Sequence, residues 1–384
     1  MARKSLLRFA GLIVGAAVVV TGCGSTSGDS AESTMDATSQ AATGKTDDAP
    51  APAPGTQPRI AILATGGTIA GKANANSAVG YTAGEATARD LIDAVPGIDK
   101  IAKLSAEQIS NIGSQDMNDE VWVKLANRIN DLFAKNEIDG AVVTHGTDTI
   151  EETAFFLDNV ISSDKPVVLV GSMRPSTALS ADGPANLRSA VQVAASPDAR
   201  GRGAMVVLND TIHGAGDVTK TNTTSVQTFK SPNTGPVGYV DAAAVTFAQP
   251  AAPQRHSHFP VPGSAPLPRV DIVYSHAGMN ADQVNDALGH GAKGIVLAGV
   301  GDGNTAKPVV DALSKAAKSG VVVVRSSRVG SGETVRNAEL NDDDLGTSSS
   351  LFLNPAKSRV LVQLLLANGI TDPGKVQQEF ATRR

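Results

Sequence analysis

From residue 59 onward, short β-branched apolar runs alternate with stretches whose apolar residues recur at helical spacing. Residues 59–65 are almost continuously apolar, too short for a stable helix, and read as a strand buried on both faces. After the polar turn at 116–119, Val121, Trp122, Leu125, Ile129, Leu132 and Phe133 lie three and four apart and predict a helix. Strands at 140–144, 167–170 and 204–208 follow, with helices predicted over 150–159 and 183–195. Strands alternating with helices indicate a mostly parallel sheet joined by crossovers, a flavodoxin-like α/β domain.

The pattern breaks at Gln249 to Pro268, where six prolines fall in 20 residues and no apolar period survives. This stretch reads as an interdomain linker. Beyond it, strands at 270–274, 294–298 and 321–325 alternate with helices near 281–288 and 306–318, and helices near 355–367 and 373–381 close the chain. The reading is therefore a larger domain over 59–248 and a smaller parallel α/β domain over 269–384, without an internal repeat.

The first 58 residues follow neither pattern. Arg3, Lys4 and Arg8 precede 12 uninterrupted apolar and glycine residues, Phe9 to Val20. A bilayer-spanning helix needs ~20 such residues, so 1–22 reads as a signal peptide. Val20-Thr21-Gly22-Cys23 resembles a lipobox, which predicts cleavage before Cys23 and a lipid on its thiol. Residues 24–58 hold Met35 as their only large apolar side chain and read as a flexible stalk.

Composition narrows the function. Lysine and arginine number 33 against 38 aspartates and glutamates, and only 3% of residues are aromatic, which excludes a basic, stacking surface for nucleic acid. Removal of 1–22 leaves 30 basic against 38 acidic residues, a net charge of −8, so membrane contact is expected through the lipid alone. Cys23 is the one cysteine, so no intrachain disulfide is available.

No Gly-x-Ser-x-Gly elbow, Walker loop or helical histidine pair is present. His256-Ser257-His258 falls in the linker and reads as a solvated pair, and Gly299-Val300-Gly301-Asp302-Gly303-Asn304 breaks the dinucleotide pattern at its last position. Two threonine- and glycine-rich loops remain, Ala64-Thr65-Gly66-Gly67-Thr68-Ile69-Ala70-Gly71 and Thr144-His145-Gly146-Thr147-Asp148-Thr149, each where a buried strand should end. A threonine hydroxyl acts as a nucleophile only beside a base, for which Tyr81, Asp148 and Lys220 are candidates. Thr68 has a second reading, as a helix N-cap. With the polar run Asn111-Ile112-Gly113-Ser114-Gln115-Asp116, the loops suit a small zwitterion with a carboxylate and an amine.

At these residues the chain resembles the secreted bacterial type II L-asparaginases. Further matching blocks are Met173-Arg174-Pro175-Ser176, Ser180-Ala181-Asp182-Gly183-Pro184, the run from Asp217 to Thr224, and Val324-Arg325-Ser326-Ser327-Arg328. The resemblance implies hydrolysis of L-asparagine to L-aspartate and ammonia through an acyl-enzyme, with no metal or organic cofactor. It implies Thr68 as nucleophile with Tyr81 as its partner, and Thr147, Asp148 and Lys220 as a second activating group. Ser114, Gln115 and Asp148 are implied to hold the substrate, backbone amides near Thr147 and Ser172 its oxyanion, and Glu339 to complete the site of a neighbouring subunit in a homotetramer. The resemblance departs at Tyr274 to Asn280, where ungapped matching sets Gly278 against a usually polar position. Two alternatives stand beside this reading: a glutaminase-asparaginase of mixed specificity, and an amino-acid-binding lipoprotein serving a transporter.

Overall fold

A computed structural model describes residues 56–73, 81–82, 86–251 and 257–383. The expected signal peptide, Cys23 and nearly all of the stalk lie outside the described residues, as does His256. The larger sheet has eight strands, in spatial order Val245–Phe247, Gly238–Val240, Thr211–Gly214, Ala204–Leu208, Val167–Val170, Gly140–Thr144, Arg59–Gly66 and Lys103–Ile112. The five from Ala204–Leu208 to Lys103–Ile112 are mutually parallel, and the other three are antiparallel. The smaller sheet orders Val270–Tyr274, Gly294–Gly299, Val322–Ser327 and Ser348–Ser349, all parallel. The mostly parallel large domain and parallel small domain expected from the periodicity are both present.

The central strands Arg59–Gly66, Gly140–Thr144 and Val167–Val170 are buried nearly throughout because helices cover both faces. One face carries Ile60, Ile62, Val142 and Val168 against the Gly183–Ala195 helix. The other carries Leu63, Val143 and Leu169 against Asp119–Ala134 and Ile150–Val160, where Trp122 stacks on Phe156 with ring centroids 5.1 Å apart. That second core continues into Val270, Val296, Leu361 and Phe380 of the smaller domain. The helix Pro355–Ala367 lies between, touching both Ile150–Val160 and the small sheet.

The proline-rich stretch is pinned where it is described. Phe259 and Leu267 are buried, Phe259 N donates to Asn159 O at 2.8 Å, and Leu267 N donates to Asp119 Oδ2 at 2.8 Å. Four strands of the larger sheet escaped the periodicity, as did Ser348–Ser349 of the smaller sheet and the two-residue strands outside both. Lys103–Ile112 is an edge strand that fully buries Ile109 alone, and the three antiparallel strands are short. A strand with one buried side chain leaves no alternation to read.

Candidate active site

After Arg59–Gly66 the chain crosses to one side of the sheet, to Lys103–Ile112, and after Gly140–Thr144 it crosses to the other, to Val167–Val170. The carboxyl ends of Arg59–Gly66 and Gly140–Thr144 are therefore the switch point, where open α/β sheets leave a crevice for a ligand. Both threonine loops sit there. Their approach depends on glycine: Gly66 and Gly67 have φ of 110° and 80°, and Gly67 N donates to Ile112 O at 3.0 Å. A Cβ on Gly67 would lie 2.3 Å from Gly146 N, and one on Gly146 would lie 2.6 Å from Ser114 Oγ. The first loop, the second loop and the 113–116 turn thus interlock through backbone that no side chain can enter.

Gly67→Ala is expected to break this interlock. With φ 80° and ψ −174°, Gly67 occupies a region essentially reserved for glycine, and holding an alanine there costs about 1–3 kcal/mol before the backbone overlap is counted. The expected result is a lower thermal midpoint together with loss of the amide hydrolysis that the resemblance implies, read by circular dichroism and ammonia release. A variant with both unchanged would contradict the interlock.

Thr68 opens the one-turn 3-10 helix Thr68–Ala70 and is 7% exposed. The cap position of that turn belongs to Gly67, so Thr68 does not fill the N-cap role. Tyr81 lies in the short strand Tyr81–Thr82, whose backbone pairs with Lys72–Ala73 just after the turn.

The second loop is held from below and from the side. His145 N donates to Val170 O at 2.8 Å. Trp122 Nε1 donates to Thr153 Oγ1 at 2.8 Å, which leaves the Thr153 hydroxyl proton for His145 Nε2 at 2.9 Å and the His145 Nδ1 proton for Gly146 O at 2.7 Å. This tautomer is assigned from the network. Burial lowers the His145 pKa to about 4, so the imidazole is neutral and serves as a brace. From the side, Asp148 N donates to Ser114 Oγ at 3.1 Å and Thr149 Oγ1 donates to Ser114 O at 2.7 Å.

Lys220 lies in a hairpin, Thr219–Lys220 paired with Phe229–Lys230 and tightened by Thr221 N donating to Thr228 O at 2.8 Å. Its Nζ donates to Thr147 Oγ1 at 2.9 Å and to Asp148 Oδ1 at 2.7 Å. The lysine side chain is 19% exposed and the aspartate 56%, so the pair borders an open cleft. An amine touching a hydroxyl and a carboxylate can take the hydroxyl proton once it has lost its own, while the carboxylate fixes its direction.

The remaining expected residues are placed less centrally. Gln115 is exposed, and its Nε2 donates to Asp116 Oδ2 at 3.4 Å. Glu339 is exposed in the smaller domain, and Asn304 Nδ2 donates to its Oε2. Among the described residues Glu339 has no hydrogen bond to either threonine loop. Gly278 has φ of 74° and open space around it. The amide beside Glu339 is thus Asn304, which sequence reading weighed only as the end of a failed dinucleotide motif. Among the described residues no group of three or more His, Cys, Asp or Glu is placed to hold a metal ion.

Comparison with known proteins identifies the family. A family model described as "Asparaginase, N-terminal" matches residues 59–253, and one described as "Glutaminase/Asparaginase C-terminal domain" matches residues 269–380. The chain is 50% identical over 325 residues to L-asparaginase 2 of Escherichia coli K12, covering 84% of this chain and 92% of that one. The same identity and coverage hold for a probable periplasmic L-asparaginase of Haemophilus influenzae. It is 42% identical over 327 residues to a glutaminase-asparaginase of Pseudomonas fluorescens biotype A, covering 84% of this chain and 89% of that one. The crystal structure of a probable cytoplasmic L-asparaginase from Campylobacter jejuni superposes with a TM-score of 0.81 at 46% identity, over 85% of this chain and 100% of that one. The chain belongs to the asparaginase family of amide hydrolases.

Proposed function

We propose that the protein hydrolyses L-asparagine to L-aspartate and ammonia, with Thr68 as the nucleophile. The observation that carries this reading is the Lys220 ammonium bonded to both Thr147 and Asp148, in a loop interlocked with the one that bears Thr68. Thr68 Oγ adds to the side-chain amide carbonyl with Tyr81 as its partner, and backbone amides near Thr147 and Ser172 hold the oxyanion of the tetrahedral adduct. The adduct collapses by breaking its C–N bond, the hydroxyl proton ends on the departing nitrogen, and ammonia is released to leave a threonyl ester. Water activated by Thr147 and Lys220 then resolves that ester. Asp148 takes the substrate amine with help from Gln115, and Ser114 takes the carboxylate. Purified protein incubated with excess asparagine should release many equivalents of ammonia per chain; stoichiometric, unchanged asparagine would instead identify a receptor. The resemblance to a glutaminase-asparaginase supports mixed specificity as a second reading, since one methylene is worth only about 1–3 kcal/mol of discrimination. Parallel kinetics on both amides decides between the two.

Export, a lipid at Cys23 and a homotetramer with shared sites belong to the same proposal. The signal-like 1–22 segment and the similarity to a probable periplasmic L-asparaginase of Haemophilus influenzae support export. Cys23→Ala should release the protein from membranes in a fractionation experiment. The Glu339–Asn304 pair, separate within one chain from the threonine loops, supports a site completed by a neighbour. If so, Thr68→Ala and Glu339→Ala chains co-refolded in equal amounts should regain about a quarter of wild-type activity, because half the dimers are mixed and each has one intact site. Activity no higher than the two inactive parents would contradict shared sites.

A further inference from the structure

Two buried charged groups at the base of the Lys220 hairpin play no part in the chemistry above. Glu151, in the first turn of the Ile150–Val160 helix, is 8% exposed and uses both oxygens: Oε2 accepts from the Lys220 backbone N–H at 2.8 Å, and Oε1 accepts from Asn354 Nδ2 at 2.9 Å. Asn354 is the N-cap of the Pro355–Ala367 helix in the smaller domain, where its Oδ1 accepts from Lys357 N at 2.9 Å. That cap fixes which way the amide faces and leaves Nδ2 for Glu151. Lys357, from the same turn and fully buried, donates from Nζ to Gly216 O at 3.1 Å and to Val218 O, just ahead of Lys220. Burial lowers its pKa to about 8, against the pull of Glu151 and Asp217.

One helix terminus of the smaller domain therefore holds the backbone of the hairpin at three points, 216, 218 and, through Glu151, 220. Glu151 also lies two residues after Thr149, on the helix that the Thr147–Asp148 loop opens. The carboxylate thus ties the segment bearing Thr147 and Asp148 to the segment bearing Lys220, and Asn354 satisfies its remaining oxygen. A buried carboxylate left without one of its donors is destabilised and is free to turn toward water. Either change moves the Lys220 backbone, and misplacing a reacting group by about 1 Å lowers rate on the order of 100-fold.

We propose that Asn354, acting through Glu151, is a positioning residue that sets Lys220 against Thr147, so that the smaller domain aligns the base from within the same chain. This rests on Lys220 being the base, as argued above. Neither Asn354 nor Glu151 is among the groups assigned to hold the substrate, so the effect falls on kcat and leaves KM nearly unchanged.

The test is a reversal of hydrogen-bond polarity. Asn354→Ser keeps a good helix cap but is too short to reach Glu151, and Glu151→Gln turns an N–H toward a donor. Each is expected to lower kcat for ammonia release by about 10- to 100-fold with KM within about threefold. In the double variant Glu151→Gln with Asn354→Asp, the new amide donates to the new carboxylate, its oxygen accepts from Lys220 N, and aspartate still caps the helix. Its kcat should return to within about threefold of wild type. Wild-type kcat in Asn354→Ser overturns the proposal, as does a double variant no better than Glu151→Gln. If Glu151→Gln does not fold, Asn354→Ser decides alone. A wild-type protein that releases no ammonia would overturn the functional reading and this proposal together, whereas active wild type with an indifferent Asn354→Ser overturns this proposal only.

Discussion

Thr68→Ala is expected to abolish ammonia release from asparagine, and Lys220→Met to do the same, each with a loss of at least about 1,000-fold in kcat. For Thr68 the loss is chemical, since alanine has no oxygen with which to form the ester. The fold should survive, because residue 68 contributes one small side chain at the start of a short turn whose cap is Gly67. For Lys220 the loss is that of the proposed base. Thr147 Oγ1 at 2.9 Å and Asp148 Oδ1 at 2.7 Å lose their shared partner, and methionine restores neither. Asp148 is more than half exposed, so water can solvate its carboxylate and stability should fall by less than about 1 kcal/mol. The two variants separate in single-turnover work: Thr68→Ala forms no acyl-enzyme, whereas Lys220→Met should accumulate it if deacylation slows more than acylation. A folded Thr68→Ala protein with near wild-type turnover would remove the nucleophile assignment.

The sequence made the central strands and the two threonine loops readable for one physical reason. Parallel strands covered on both faces are continuous apolar runs, and the glycines that end them are required by contacts such as Gly67 on Gly146. What sequence could name but not place, or did not mark at all, depends on long-range pairing. Lys220 sits in a polar stretch without periodicity, and its meaning comes from a hairpin with two residues per strand and from Glu151, 69 residues earlier. Asn304 gains interest only from Glu339, 35 residues away. Arg325, by contrast, was visible as part of a matching block, yet its side chain holds the fold of the smaller domain and touches neither threonine loop.

That arginine sets the second large effect, on stability. Arg325 and Asp342 are 2% and 0% exposed, and they pair through Nε to Oδ1 and Nη2 to Oδ2, both at 2.7 Å. The remaining acceptor capacity of Asp342 is filled by Thr347 Oγ1 at 2.7 Å and Asn337 N at 3.0 Å, and Arg325 Nη1 donates to Asp302 O at 3.1 Å. Asp342→Ala strands a buried guanidinium, which costs about 3–5 kcal/mol. Asp342→Asn keeps the volume but sets an amide NH2 against two of the four donors, since each carboxylate oxygen accepts from two, and it should lie between alanine and wild type. Burial pushes the Asp342 carboxyl up, but the Arg325, Asn337 and Thr347 hydrogen bonds outweigh it and hold the pKa below the ordinary carboxylate range. A carboxyl whose folded pKa is depressed contributes its stability above the unfolded value, near about 3.9, and loses it as pH falls through the lower folded value. Urea midpoints should therefore separate wild type from Asp342→Asn widely at pH 7 and converge as the pH is taken below 3.9 toward the folded value. The same carboxylate closes the 337–342 loop by accepting from Asn337 N at 3.0 Å, while Asp342 N donates back to Asn337 Oδ1 at 2.8 Å, and Glu339 lies on that loop. Loss of asparagine hydrolysis in Asp342→Asn at a temperature where the fold persists is thus expected if Glu339 serves a neighbouring site. An unchanged urea midpoint at pH 7 would show that the buried pair contributes nothing to the fold.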